Sequence, residues 1–301
     1  MTAKKTRKQK KPALLSHGRP PTVYHKPPAS LSSKATRTLI SSHHQLHKAL
    51  AKATAEGDAT STAGIQAQIE EQGGLEAYQV ASMTGQRSER GGDSGKALME
   101  WLAPLSSGLK KSGLGEERKS KMLEVGALKT DNACSRSRLF DATRIDLHAR
   151  SEGIMQQDFM RRPLPETDEE SFDVISLSLV LNYVFDASGR GEMLRRTRSF
   201  LRAPRNQNTS PLDEVFPSLF LVLPAPCVTN SRYLNEERLT EIMQSLGFVM
   251  IRRKMSAKLV YYLWRYTCAG AGPKDAGKGR AFRKEEIRTG GKRNNFAIVI
   301  S

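Results

Sequence analysis

A glycine and two carboxylates close three successive apolar runs, and their spacing fits a site for a nucleoside. Gly126 ends Leu123-Glu124-Val125. Asp146 ends Arg144-Ile145, 20 residues further on. Asp158 follows Gln156-Gln157 and precedes Phe159. In an open α/β sheet a ligand sits outside the carboxyl ends of the strands. A glycine there lets the backbone approach it, and an acid about 20 residues later accepts hydrogen bonds from ribose hydroxyls. An acid at the third strand end accepts from the exocyclic amine of adenine, with Phe159 against the ring. Each residue has a plainer role when taken alone: a turn glycine, a helix N-cap, a solvated loop charge. Three suitable residues at three consecutive strand ends favour the nucleoside.

The loop after Gly126 reads Ala127-Leu128-Lys129-Thr130-Asp131-Asn132-Ala133. It lacks the further glycines of G-x-G-x-x-G, which a pyrophosphate on a helix N-terminus requires. A dinucleotide is therefore disfavoured. S-adenosylmethionine carries no phosphate and tolerates such a loop, with Lys129 or Asn132 as candidates to approach its methionine carboxylate. The fourth and strongest run, Phe172 to Leu181, leads into Asn182 and Tyr183, where the acceptor of a transferred group belongs. Asn182 offers donor and acceptor groups to a base edge. Tyr183 offers a stacking surface for an unpaired base, and Phe185 is expected in the core. No Asn-Pro-Pro-aromatic tetrapeptide occurs, so the signature of adenine-N6 methylation is missing.

Metal chemistry finds little support. Cys134, Cys227 and Cys268 are far apart in sequence, without zinc-ligand spacing. His43, His44 and His47 share one helical stretch but have no acidic or cysteine companion nearby, so a solvated helix face is expected.

The elements that must hold these residues alternate. Short apolar runs at 122–125, 139–147, 154–159, 172–181 and 219–223 read as strands, separated by helical stretches at 192–202 and 235–246. Such alternation implies a parallel sheet with right-handed crossovers. Runs at 248–251 and 259–266 are close enough for an antiparallel pair, and 295–300 reads as a further edge strand. Helical segments are expected within 36–103, the second stopping at Gly73-Gly74 and the third at Pro104. The expected organisation is a disordered basic tail over 1–35, a helical region over 36–105, a Rossmann-like domain over 106–267 and a basic extension over 268–301.

Charge follows the same division. The formal net charge is +17, yet residues 56–267 balance at 28 basic against 28 acidic. The excess lies in residues 1–55, with twelve Lys or Arg and no acid, and in residues 268–301. Two basic ends on a neutral body suit a polyanion, through salt-sensitive counterion release. Arg195, Arg198 and Arg202, and the run Arg252-Arg253-Lys254 after the sixth strand, are expected on solvated faces. No apolar run approaches the roughly 20 residues that span a bilayer. No apolar h-region follows the basic start, and the sparse, odd cysteine count suits reduced thiols inside a cell.

Taken in order, Leu123-Glu124-Val125-Gly126-Ala127-Leu128, Arg144-Ile145-Asp146-Leu147, Gln157-Asp158-Phe159, the run Phe172 to Val184, Arg190-Gly191-Glu192-Met193-Leu194 and Leu219 to Pro224 resemble the fungal nucleolar 25S rRNA adenine-N1 methyltransferases. The likeness covers about residues 90–270. It implies a class I methyltransferase fold with a seven-stranded, mostly parallel sheet. It implies S-adenosylmethionine bound by Gly126 and Asp146, and methylation of an adenine in large-subunit rRNA in the nucleolus of the nucleus. An animal relative, SAMTOR, is similar in the same core and is regarded as a sensor that binds the donor and a protein partner. The basic ends favour the rRNA reading over the sensor, and over an assembly factor with a purely structural core.

Overall fold

The computed structural model describes residues 33–74, 77, 93–111, 119–149, 151–204, 211–268 and 280–301. The basic run Lys4–Lys11 and the expected tail up to residue 32 lie outside the described residues.

Two helices come first, α1 (Ser33–Ala55) and α2 (Ala59–Glu71). Gly57 turns the chain at φ +71°, and Asp58 caps α2 by accepting from the Ser61 amide at 3.0 Å. A further helix, α3 (Gly95–Lys111), holds Pro104 inside it rather than ending there. Pro104 costs one backbone hydrogen bond. Leu98 and Leu102, both fully buried against the sheet, hold the helix in place across it. α3 thus crosses the expected boundary at residue 105 and packs on the sheet.

The sheet is built from β1 (Ser120–Val125), β2 (Phe140–Asp146), β3 (Met155–Gln156), β4 (Val174–Ser178), β5 (Ser218–Pro224), β6 (Phe248–Met255) and β7 (Leu259–Tyr266). Its order is β3-β2-β1-β4-β5-β7-β6. β1 to β5 pair in parallel, while β7 runs antiparallel to both β5 and β6. The helices between strands are α4 (Ala133–Arg136), α5 (Ala187–Phe200), α6 (Pro226–Thr229) and α7 (Glu236–Ser245). One face of the sheet buries Leu123, Ile175, Leu221 and Trp264 under α5 and α7. The other buries Met122, Val174 and Phe220 under α3.

Several boundaries differ from the sequence reading, each for a local reason. β4 stops at Ser178 because Leu179 takes a left-handed backbone, φ 59°. β3 shrinks to two residues, because Asp158 turns the chain into a single 3-10 turn over Phe159–Arg161. β6 extends through Arg252, Arg253 and Lys254, so these residues lie within the strand instead of after it. Arg253 there forms a paired contact to Glu236, and Lys254 reaches Glu100 at 2.7 Å.

Residues 295–300 do not extend the sheet. The segment lies over α5, where the Val299 amide donates to Ala187 O and buried Arg190 donates to Ala297 O. A Cβ on Gly191 would stand 1.8 Å from Val299 O, so only glycine admits the segment. Arg288 donates to the carbonyls of Val228, Thr229, Ser231 and Leu234. Part of the charge expected to face a polyanion thus staples the C-terminal segment to α6 and the start of α7. Arg202 is likewise not on a solvated face: it is buried and pairs with Asp173 at 3.3 Å.

Candidate functional site

The sheet order brings the ends of β1, β2 and β4 together. Val125 is the register partner of both Ile145 and Leu177. The next residues, Gly126, Asp146 and Ser178, therefore stand side by side at the carboxyl edge. The Gly126 amide donates to Ile145 O at 2.8 Å, which ties the first bend to the second strand. Gly126 has φ +73°, and a Cβ there would meet Val180 Cγ2 at 2.7 Å. Glycine is required on both counts.

Asp146 closes β2 and accepts from the His148 amide through Oδ1 at 2.8 Å, which fixes its rotamer. It caps no helix among the described residues. Burial raises its pKa, so the carboxylate gains from further donors such as a pair of hydroxyls. Asp158 follows the end of β3, where Oδ1 accepts from the Met160 amide at 2.8 Å and Oδ2 lies 3.7 Å from Arg161. The ring of Phe159 is buried and packs 5.3 Å from Phe200. It belongs to the core, so only the backbone of Phe159 lies at the strand end and the expected ring-to-ring wall is not formed by its side chain. Asn132 is also committed: its Oδ1 caps α4 through the Ser135 amide, and its Nδ2 donates to buried Glu124 at 2.7 Å. One of the two Nδ2 hydrogens is thus spent on Glu124, and one remains as a donor. Lys129 stays exposed.

At the end of β4 the strained Leu179 leads into one 3-10 turn, Leu181–Tyr183. Left-handed backbone at a branched residue costs about 1–2 kcal/mol and concentrates at functional sites. It carries Val180 to Gly126, and Asn182 and Tyr183 follow on the turn. Asn182 Oδ1 is buried without a hydrogen-bond partner. Tyr183 is half-buried, and burial pushes its hydroxyl up to about 12, so it is a neutral donor and no base at neutral pH. Phe185 is not core. It is among the exposed large apolar residues and stacks on His47, 4.8 Å between centroids with planes 3° apart. His43 and His47 do not form a solvated face either: His43 is buried and its ring lies 4.3 Å from that of His47.

Two contributions escaped the sequence reading. Asp93 caps α3 through the Gly95 amide and bonds the Ala133 amide of α4, while Ser94 Oγ lies 2.6 Å from Ser178 Oγ. Together they set the start of α3 against the strand ends. Asp93-Ser94 ahead of an apolar helix is a readable N-cap signal. The docking of His47 on Phe185 has no local signal. Among the described residues no cluster of three or more His, Cys, Asp or Glu could hold a metal, and no helix is long and apolar enough to cross a membrane.

A parallel sheet of this order with an antiparallel seventh strand, and with a glycine bend and a carboxylate at adjoining strand tips, is the fold of class I methyltransferases. Residues 63–298 match the family described as Bmt2, 25S rRNA (adenine(2142)-N(1))-methyltransferase, and the chain belongs to that family. It is 37% identical over 237 residues to the 25S rRNA (adenine(2142)-N(1))-methyltransferase of Saccharomyces cerevisiae, covering 78% of this chain and 63% of the relative. It is 39% identical over 226 residues to the 25S rRNA adenine-N(1) methyltransferase of Schizosaccharomyces pombe, covering 75% and 76%. The chain thus spans a little under two thirds of the length of the first of these relatives. Among solved structures, TnmH aligns at a TM-score of 0.39 and 12% identity over 75% of this chain and 69% of its own. That likeness is too distant to carry any argument.

Proposed function

We propose that the chain uses S-adenosylmethionine to methylate N1 of an adenine in large-subunit rRNA during ribosome biogenesis, in the nucleolus. The observation that carries this reading is the adjacency of Gly126 and Asp146 at neighbouring strand tips in a member of this family. Their chemistry fits the donor: the bend at Gly126 leaves backbone without a side chain, and the half-buried Asp146 carboxylate suits a ribose diol. Asp158, with the backbone of Phe159, would hold the adenine of the donor. When bound, S-adenosylmethionine would supply an electrophilic methyl to adenine N1, itself becoming a neutral thioether while the ring takes the positive charge.

The residues of the chain have a limited task. N1 of a neutral adenine carries no proton, so no general base is required, in keeping with a protonated Tyr183. The site must orient the base and exclude water, and orientation alone is worth several kcal/mol. N1 lies on the pairing edge, so the base must be unpaired or flipped out before it enters. Asn182 and Tyr183, on the turn after β4, would receive it. Basic residues on the chain contact phosphates and add salt-dependent affinity.

The test is transfer from labelled donor to unmodified large-subunit rRNA. Transfer at adenine N1 that is lost in Asp146→Ala supports the reading. Donor binding without transfer would instead make the chain a sensor, and neither activity would leave an assembly factor. Imaging a tagged full chain in its own cell tests the nucleolar location.

A further inference from the structure

Two buried polar atoms at the acceptor end have no partner in the protein, and they come from elements far apart in the sequence. One is Asn182 Oδ1, on the turn after β4. The other is His47 Nε2, on α1. The ring of His47 lies flat on Phe185, three residues beyond Asn182, so α1 is docked on the segment that follows this turn. An unpaired buried polar atom costs about 1–3 kcal/mol, and natural chains keep few of them. His47 Nε2 belongs to the ring stacked on Phe185, and Asn182 stands three residues before Phe185, so one ligand group bound at this turn would satisfy both.

We propose that His47 is a specificity-determining residue: with Asn182 it accepts the two hydrogens of the exocyclic amine of the target adenine. The inference rests on the methyl-transfer reading above and adds a recognition group to it from outside the sheet domain. The chemistry is consistent on each side. The amine has two N–H donors and the site offers two acceptors, one amide oxygen and one imidazole nitrogen. Burial lowers the pKa of His47 and keeps its ring neutral, so with the proton on Nδ1 the Nε2 lone pair is available. Methylation at N1 spreads positive charge onto the neighbouring amine. Both hydrogen bonds therefore strengthen as the reaction proceeds, which raises the rate of the chemical step and not merely affinity. A guanine in the same place would present an oxygen to two acceptors and be rejected.

The experiment uses the full chain and two substrate RNAs, one with adenine and one with unsubstituted purine, which lacks the amine, at the target position. His47→Phe keeps the stack on Phe185 and the burial of α1 while deleting the acceptor. His47→Gln keeps a polar acceptor. The readout is the adenine-to-purine ratio of kcat/KM in each variant relative to the parent, in which the intrinsic reactivity of the two bases cancels. We expect His47→Phe to lower this ratio about tenfold, the scale of one lost hydrogen bond to a developing charge. We expect His47→Gln to recover part of it, and donor affinity by calorimetry to be unchanged in both. An unchanged ratio in His47→Phe with intact donor binding overturns the proposal and leaves the methyl-transfer reading standing. A parent chain that binds RNA and donor yet methylates neither substrate overturns both.

Discussion

The proposed donor side and the proposed acceptor side of the sheet edge are made in different ways. On the donor side nearly every polar side chain already has work inside the protein. Asp146 and Asp158 each accept a backbone amide, Asn132 bridges α4 and Glu124, and the Phe159 ring is in the core. What remains for a ligand is shape: a glycine bend, a fixed carboxylate and a row of strand-end backbone. On the acceptor side the opposite holds. Asn182 Oδ1 and His47 Nε2 are buried and unpaired, Phe185 is partly exposed, and Leu179 is strained. On the proposed reading the donor end is formed by the sheet alone, while the acceptor end also draws on α1. A change on the donor side should therefore act on binding, and a change on the acceptor side on turnover.

The largest effect that can break this contrast is at Gly126. In Gly126→Ala the left-handed backbone costs about 1–2 kcal/mol, and the new Cβ must displace Val180 Cγ2 from 2.7 Å, an overpacking of similar size. Donor affinity by calorimetry should fall about 100-fold. The double variant Gly126→Ala, Val180→Ala should recover the steric part but not the backbone part. Full recovery would mean that sterics alone matter there. Asp146→Asn comes next. The amide oxygen still accepts the His148 amide, so the turn survives, but the charge is gone. Donor affinity should drop about tenfold to 100-fold, the range for hydrogen bonds to a charged group, with rRNA affinity unchanged. Asn182→Ala sharpens the other half. It should lower kcat about tenfold, leave donor affinity alone, and leave the denaturation midpoint unchanged or slightly higher. The stability result follows because the variant deletes an unpaired buried oxygen. A clear loss of stability would show that Asn182 is structural.

The same contrast explains what could be read in the sequence. Gly126, Asp146 and Asp158 lie at strand ends within one contiguous stretch, where period and spacing carry the information, and the antiparallel pair β6–β7 was visible as two apolar runs. Phe159 was assigned to the ligand because its neighbour is at the strand end. One 3-10 turn rotates its ring into the core instead, and such a turn has no strong sequence signature. Phe185 on one side, and His43 and His47 on the other, differ from their sequence expectation for a related reason. A lone aromatic after a strand reads as core and a histidine row reads as solvated face, until tertiary docking stacks them on each other. The C-terminal arginines misled through composition. Their charge suits a polyanion, but Arg288 finds four backbone carbonyls, an outcome set by where the chain returns and not by local pattern.

The smallest expected effect is a pH dependence that belongs to the acceptor side alone. Burial holds the pKa of folded His47 below its ordinary value of 6.5. In the unfolded chain His47 takes up its proton at the ordinary value, so the unfolded state binds more protons as the pH falls below 6.5. The stability linked to a neutral His47 is therefore fully present above that pH and is lost as the pH falls toward the folded pKa. The neighbouring His43 ring, 4.3 Å away, is the group that a charged His47 would face on its own helix. The effect is small because His47 is only half-buried and solvent screens the charge. Urea midpoints of the parent and of His47→Phe at pH 7.5 and pH 5.5 isolate it: the parent should lose more between the two than the variant. Donor affinity of the folded chain should not share this dependence, since the groups proposed to grip the donor lie at the ends of β1 to β3. Parallel losses in both chains would place the acid sensitivity elsewhere and remove the argument that α1 docks through a neutral His47.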